Sequence, residues 1–182
     1  MHVLNTLKSS KNNTSQGGFT LIELLIYIAL TSLIMSSITL LGLNLVLAQQ
    51  QSDVQLTVAA NIQNIAQRVQ YEVRNAQSIV SASANDICLI SSVPNRSPVR
   101  IYRTNNTARI AWGGGGSDCS SLSFDEQFSD SSVAVSSFDF SDFSQANSEH
   151  VFFSVTVEYD GGRAEWQRTE SYAGSVELRS AN

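Results

Sequence analysis

The chain has 182 residues, 42% of them hydrophobic, and carries 11 basic and 16 acidic side chains for a formal net charge of −5. That length holds one domain plus an extension, and the acidic balance argues against a general polyanion binder, because phosphate contacts need clustered cations. Its cysteines, Cys88 and Cys119, lie in the polar part of the chain, where a pair fits a disulfide in an oxidising compartment such as a periplasm and two separate buried thiols are the alternative.

Residues 1–18 are polar, carry Lys8 and Lys11, and end in Gly17-Gly18. An apolar run follows from Phe19 to Ala48, and no charged residue occurs from Leu24 through Ser52. About 20 apolar residues suffice to cross a hydrocarbon core. Residues 19–48 are therefore predicted to form a transmembrane helix. The preceding lysines predict a cytoplasmic N-terminus and a C-terminal part outside the cytoplasm.

Residues 49–80 turn amphipathic. Leu56, Ala59, Ile62, Ala66, Val69, Val73 and Ala76 recur at three- and four-residue steps, which predicts that the helix continues with one apolar stripe. No proline interrupts residues 19–93, so a single helix of about 60 residues is expected.

Residues 85–182 read as a β-rich head. Ile87–Ile90, Val99–Arg103 and Ala108–Trp112 are predicted strands, with Asn105-Asn106 as a hairpin turn. Val133 and Val135 share one parity and Phe138 and Phe140 the other, which a bulge near Ser136-Ser137 reconciles. Residues 151–159 alternate strictly, Asp160-Gly161-Gly162 reads as a turn, and Ala164, Trp166, Val176 and Leu178 continue the sheet. The Ser/Asp-rich stretch 117–148 leaves some strands unplaced. The predicted fold class is α+β: a long N-terminal transmembrane-to-amphipathic helix packed on an antiparallel β-sheet head.

The junction Gly17-Gly18-Phe19-Thr20-Leu21-Ile22-Glu23 resembles the processing site of type IV prepilins and the related pseudopilins of type II secretion. The resemblance covers the leader, the junction and the apolar helix. It implies cleavage between Gly18 and Phe19 by a prepilin peptidase and N-methylation of Phe19. It also implies assembly with other pilin subunits on an inner-membrane platform, with Glu23 attracting the N-terminal amine of the next subunit. The implied localisation is the inner membrane, single-pass, and then a pilus or pseudopilus. The ending Thr169–Arg179 is similar to the C-terminal strand of minor pilins of the PilW kind. A minor pilin role is thus expected, with a minor pseudopilin as the alternative. A membrane-anchored binding domain that never polymerises is the alternative of another class.

The residues bear this chemistry. Glycine at the cut lets an extended backbone enter a cleft unobstructed. Glu23 is the only charge between Lys11 and Asp53, and an intramembrane carboxylate favours a partner. Thr20 and Glu23 also match a capping box, which satisfies free N–H groups at a helix start, and the two roles are compatible. A secretory signal ending at Val46-Leu47-Ala48 is a further reading, but the apolar stretch outruns a signal-peptide core.

Catalysis finds little support. His2 lies in the leader, His150 stands alone, no serine or cysteine has a nucleophile-elbow context, and the cysteines lack metal-ligand spacing with a histidine. No enzymatic role, cofactor or metal is expected. Asp118, Asp125, Glu126, Asp130, Asp139 and Asp142 lack the spacing of a regular calcium loop. Arg96, Arg100, Arg103 and Arg109 lie within one carboxylate-free segment near Tyr102 and Trp112. They are the one feature that single-stranded DNA could grip. A basic sheet face paired with acidic neighbours is the plainer reading, and DNA is not an expected partner of the acidic whole.

Overall fold

The computed structural model describes residues 18–145, 148–161 and 167–179. The chain divides into two units, Met1–Leu47 and Ala48–Asn182. Helix α1 (Leu21–Arg74, 54 residues) contributes to both. In the first unit its leucines, isoleucines and other large apolar side chains are all exposed. Among the described residues it is the one helix long and apolar enough to cross a membrane.

In the second unit α1 is followed by eight strands: β1 (Ala76–Ser83), β2 (Asp86–Ser91), β3 (Val99–Thr104), β4 (Thr107–Trp112), β5 (Phe124–Gln127), β6 (Val133–Asp142), β7 (His150–Tyr159) and β8 (Thr169–Glu177). They form a five-stranded sheet in the order β1-β2-β3-β4-β5 and a three-stranded sheet β6-β7-β8. Every named pairing is antiparallel, so the expected α+β class with an antiparallel head is what the chain adopts.

Local chemistry explains most of the strands. Asn105 and Asn106 both take positive φ, the conformation that a two-residue hairpin requires at both central positions. The β6–β7 register shifts between Val135 and Ser137. This bulge turns Val133, Val135, Phe138 and Phe140 all inward. The two sheets meet where β6 passes the β1–β2 and β3–β4 turns. There the Asn85 N–H donates to the Phe138 carbonyl at 2.6 Å and the Val135 N–H to the Asn106 carbonyl at 2.7 Å. One buried cluster joins Val58, Ile65, Val69 and Val73 of α1 to Ile87, Leu89, Val99, Ile101 and Ile110 of the first sheet. The same cluster takes in Phe138, Phe153 and Val155 of the second.

Two helical expectations are corrected. The helix ends at Arg74, and residues 76–80 of the expected 49–80 extension belong to β1. At its end the Tyr71 carbonyl takes the last helical bond from the Asn75 N–H and a second bond from the Asn75 side-chain amide. Beyond lie Ser78, Ile79, Val80 and Ser81, a stretch of serine and β-branched residues that favours a strand paired with β2. The buried stripe also differs. It runs through Val54, Val58, Asn61, Ile62, Ile65, Ala66, Val69, Glu72 and Val73. Leu56 is 65% exposed, because at about 100° per residue it sits on the far side of the helix from Val54. Ala164 and Trp166, expected to extend the sheet, lie outside the described residues.

Candidate processing and assembly site

Gly18, Phe19 and Thr20 precede the first helical residue and are exposed. A side chain at Gly18 would meet nothing within 4 Å, so the backbone there is sterically open. Phe19 is 77% exposed. Thr20 caps the helix: its Oγ1 accepts from the Glu23 N–H at 3.3 Å, and its carbonyl accepts from Glu23 and Leu24. Glu23 lies in the first turn, where its negative charge complements the helix dipole. Among the described residues it forms no ion pair. The threonine half of the capping box is therefore present, and the Glu23 carboxylate is exposed and open to a partner.

Down the same segment Thr31, Ser32, Ser36, Ser37 and Thr39 each donate the hydroxyl to a carbonyl three or four residues back. These polar side chains thereby satisfy themselves within α1, as a helix in hydrocarbon requires.

Residues 13–39 match the family model for the prokaryotic N-terminal methylation motif. The match supports a type IV pilin- or pseudopilin-like protein. A prepilin-type motif implies processing by a prepilin peptidase and assembly with other pilin-like subunits. Together with the exposed apolar helix it is compatible with a single-pass inner-membrane anchor. No curated protein and no solved structure matches the chain.

The remaining sequence candidates fall elsewhere, in the β-rich head. Cys88 and Cys119 are joined in a disulfide with their Cα atoms 6.0 Å apart, which ties the loop before β5 to β2. The four arginines are not gathered on one face. Arg100 Nε donates to both Asp86 oxygens at 2.9 and 3.1 Å, and its guanidinium lies over the Tyr102 ring. Arg109 donates to Asp125 at 3.0 Å, and Asp125 also accepts from the Tyr102 hydroxyl at 2.7 Å. Arg103 turns to the seam between the sheets, donating to Asn85 Oδ1 and the Val135 carbonyl. Arg96 reaches α1, where it pairs with Glu72 at 2.8 Å and stacks over Trp112. The carboxylates missing from the arginine segment itself come from α1, β2 and β5. Among the described residues no three His, Cys, Asp or Glu side chains converge as a metal site. Asp118, Asp130 and Asp142 instead accept backbone N–H groups two residues ahead.

Sequence reasoning missed Glu72. It is 1% exposed and held by Arg68 at 3.2 Å and Arg96 at 2.8 Å, while its Oε2 has no hydrogen-bond partner. Burial pushes its carboxyl pKa up, and the charges of Arg96 and Arg68 draw it partly back. The available signal was its position, three residues beyond Val69 on the apolar stripe and four beyond Arg68.

Proposed function

We propose that this chain is a minor type IV pilin, cut between Gly18 and Phe19, methylated at Phe19, and assembled into or priming a pilus. The observation that carries the reading is the exposed carboxylate of Glu23, in the first turn of α1 and inside the matched methylation motif at residues 13–39, followed by a stretch from Leu24 to Ser52 that carries no charge. The role is mechanical. An apolar helix leaves lipid for a core of similar helices at little cost in solvation. Glu23 pairs with the amine that cleavage creates on a neighbour, an attraction that is strong and selective where water is scarce.

Two departures from common major pilins support the minor role. No proline interrupts the helix around Leu40, and the disulfide joins β2 to the loop before β5 and does not bracket the last loop. The test is mass spectrometry of the N-terminus of the chain from its native host. A mature chain beginning at methylated Phe19 is the expected result. An intact leader would overturn both the pilin and the pseudopilin readings and favour a non-polymerising anchor.

A further inference from the structure

Two adjoining hollows of about 950 and 450 Å³ lie along α1 in the head and share Gln67 and Tyr71. On the helix side of the larger one, Gln67, Gln70, Tyr71 and Arg74 follow at three- and four-residue steps and so share a face. On the sheet side Ser175, Glu177 and Arg179 alternate along the end of β8 and just beyond it, and all three are exposed. Val176 and Leu178 between them are buried. Among the described lining residues, the large nonpolar surface on offer is the ring of Tyr71, which is 50% exposed.

The larger hollow is held in shape from within. Gln70 Nε2 donates to the Tyr172 hydroxyl at 2.9 Å, and the Asn75 side-chain amide donates to the Tyr71 carbonyl at 2.9 Å. Each fixed amide keeps its side-chain oxygen for a ligand, and groups fixed before binding lose little freedom on binding. The charge is positive. Arg74 and Arg179 are exposed, and among the described residues neither forms an ion pair. Against them stands one lining carboxylate, Glu177. Arg68 and Arg96 of the smaller hollow are already engaged by the buried Glu72, so the available charge comes from Arg74 and Arg179.

We propose that this groove binds an anionic polysaccharide, a chain of sugar units that carry carboxylates. Sugar hydroxyls both donate and accept, and side-chain amides match them in both roles. The Tyr71 ring offers a flat face to a sugar ring. Arg74 and Arg179 offer planar forks to the sugar carboxylates. The larger hollow has the volume of a pocket for a ligand of several rings. Its continuity with the smaller one at Tyr71 gives successive units a path. An acidic protein segment fits less well, because it docks through apolar or aromatic anchors that fill pockets, and Val176 and Leu178 are turned inward. Single-stranded DNA also fits less well: it needs successive aromatic platforms on an unbroken cationic track, and here Glu177 interrupts the charge. The site belongs to the head and does not depend on assembly into a filament.

The test uses an oligomer of galacturonic acid and a neutral glucose oligomer of equal length. Each is titrated calorimetrically into the full-length chain in a non-glycosidic detergent. The galacturonate oligomer should bind about tenfold more tightly than the neutral one. Arg74→Gln with Arg179→Gln should remove that advantage, and the remaining binding should no longer weaken with added salt. Tyr71→Ala should also weaken binding but leave its salt dependence in place, because the ring contact carries no charge. All three positions are exposed, and an unchanged thermal transition confirms that the head still folds. Absence of galacturonate binding, or equal binding by the arginine variant, would overturn the proposal. So would tighter binding of a thymidine oligonucleotide or a glutamate-rich peptide that the arginine variant loses, which would assign the groove to that ligand. The N-terminal mass of the chain reads processing separately, so the outcome here is independent of the subunit reading.

Discussion

Glu72 shows how one buried charge shapes the head. Because burial raises its carboxyl pKa above the ordinary value of 4.5, the folded chain holds that proton more tightly than the unfolded chain does. Lowering the pH through the interval between the ordinary and the raised value therefore stabilises the fold, and raising the pH through it removes that gain. In Glu72→Gln this linkage disappears. The stability of the unaltered protein minus that of the variant, from urea titrations, should fall as pH rises across the interval and stay flat outside it. Glu72→Ala leaves Arg68 and Arg96 without their shared partner and should cost about 2 kcal/mol. Asp125 has the opposite sign. Burial raises its pKa, but hydrogen bonds from Tyr102 and Arg109 and the charges of Arg109 and Arg100 outweigh it, leaving the carboxyl below the usual range. Its contribution is present above the ordinary aspartate value and is lost as pH falls through the lowered one. Gly114 is constrained by backbone rather than charge. It sits at φ 99°, and a Cβ there would collide with the Ser121 carbonyl oxygen, so Gly114→Ala should cost about 2 kcal/mol in thermal or urea unfolding.

At the scale of elements, the head is held by the half of α1 that two sheets cover. Ile65 is fully buried in the common cluster and Leu56 is exposed. Ile65→Ala should destabilise the head by about 3 kcal/mol and Leu56→Ala by almost nothing, read from chemical unfolding of the full chain. The pair tests which side of the helix faces the sheets: periodicity placed Ile62, Ala66, Val69 and Val73 there correctly but began the stripe at the exposed Leu56. Both sides of α1 carry apolar residues in this region, and only the covering strands select between them. The disulfide works on the unfolded ensemble. It spans a sequence separation of 31 residues, so replacing both cysteines by serine should remove about 3–4 kcal/mol and lower the thermal midpoint. Strand β5 was not legible in advance. All four of its residues are exposed, so no alternation marks it, and it exists because β4 offers an unpaired edge beside the loop that Cys119 anchors.

For the whole molecule, the proposed subunit role makes Glu23 the decisive charge. Glu23→Ala should leave cleavage and methylation at Phe19 intact, as read by N-terminal mass. Incorporation into filaments, as read by immunoblotting of sheared fibres, should fall about tenfold or more, because the neighbour's amine then has no anion to dock against. Incorporation at the normal level would remove the assembly role and leave the capping contact with Thr20 as the reason for threonine and glutamate at this spacing. The charge distribution of the head belongs to the same scale. Four arginines border two adjoining hollows beside α1, Arg74 and Arg179 the one and Arg68 and Arg96 the other, whereas the sequence shows only a dispersed minority of cations in an acidic chain.

Local patterns along the chain were enough for the apolar helix, its capped start at Thr20, the Asn105-Asn106 hairpin and the β6 bulge. Each depends on residues within a few positions of one another: uniform apolarity, a threonine three residues before a glutamate, asparagine at positive φ, a change of parity. Long-range packing set where α1 stops, that its buried stripe begins at Val54 and Val58 and leaves Leu56 exposed, and which partner each arginine takes. It also placed Glu72 in the core and β5 at the edge of a sheet. Those outcomes depend on groups distant along the chain that meet only when the sheets close over the helix, so no local pattern of side chains encodes them.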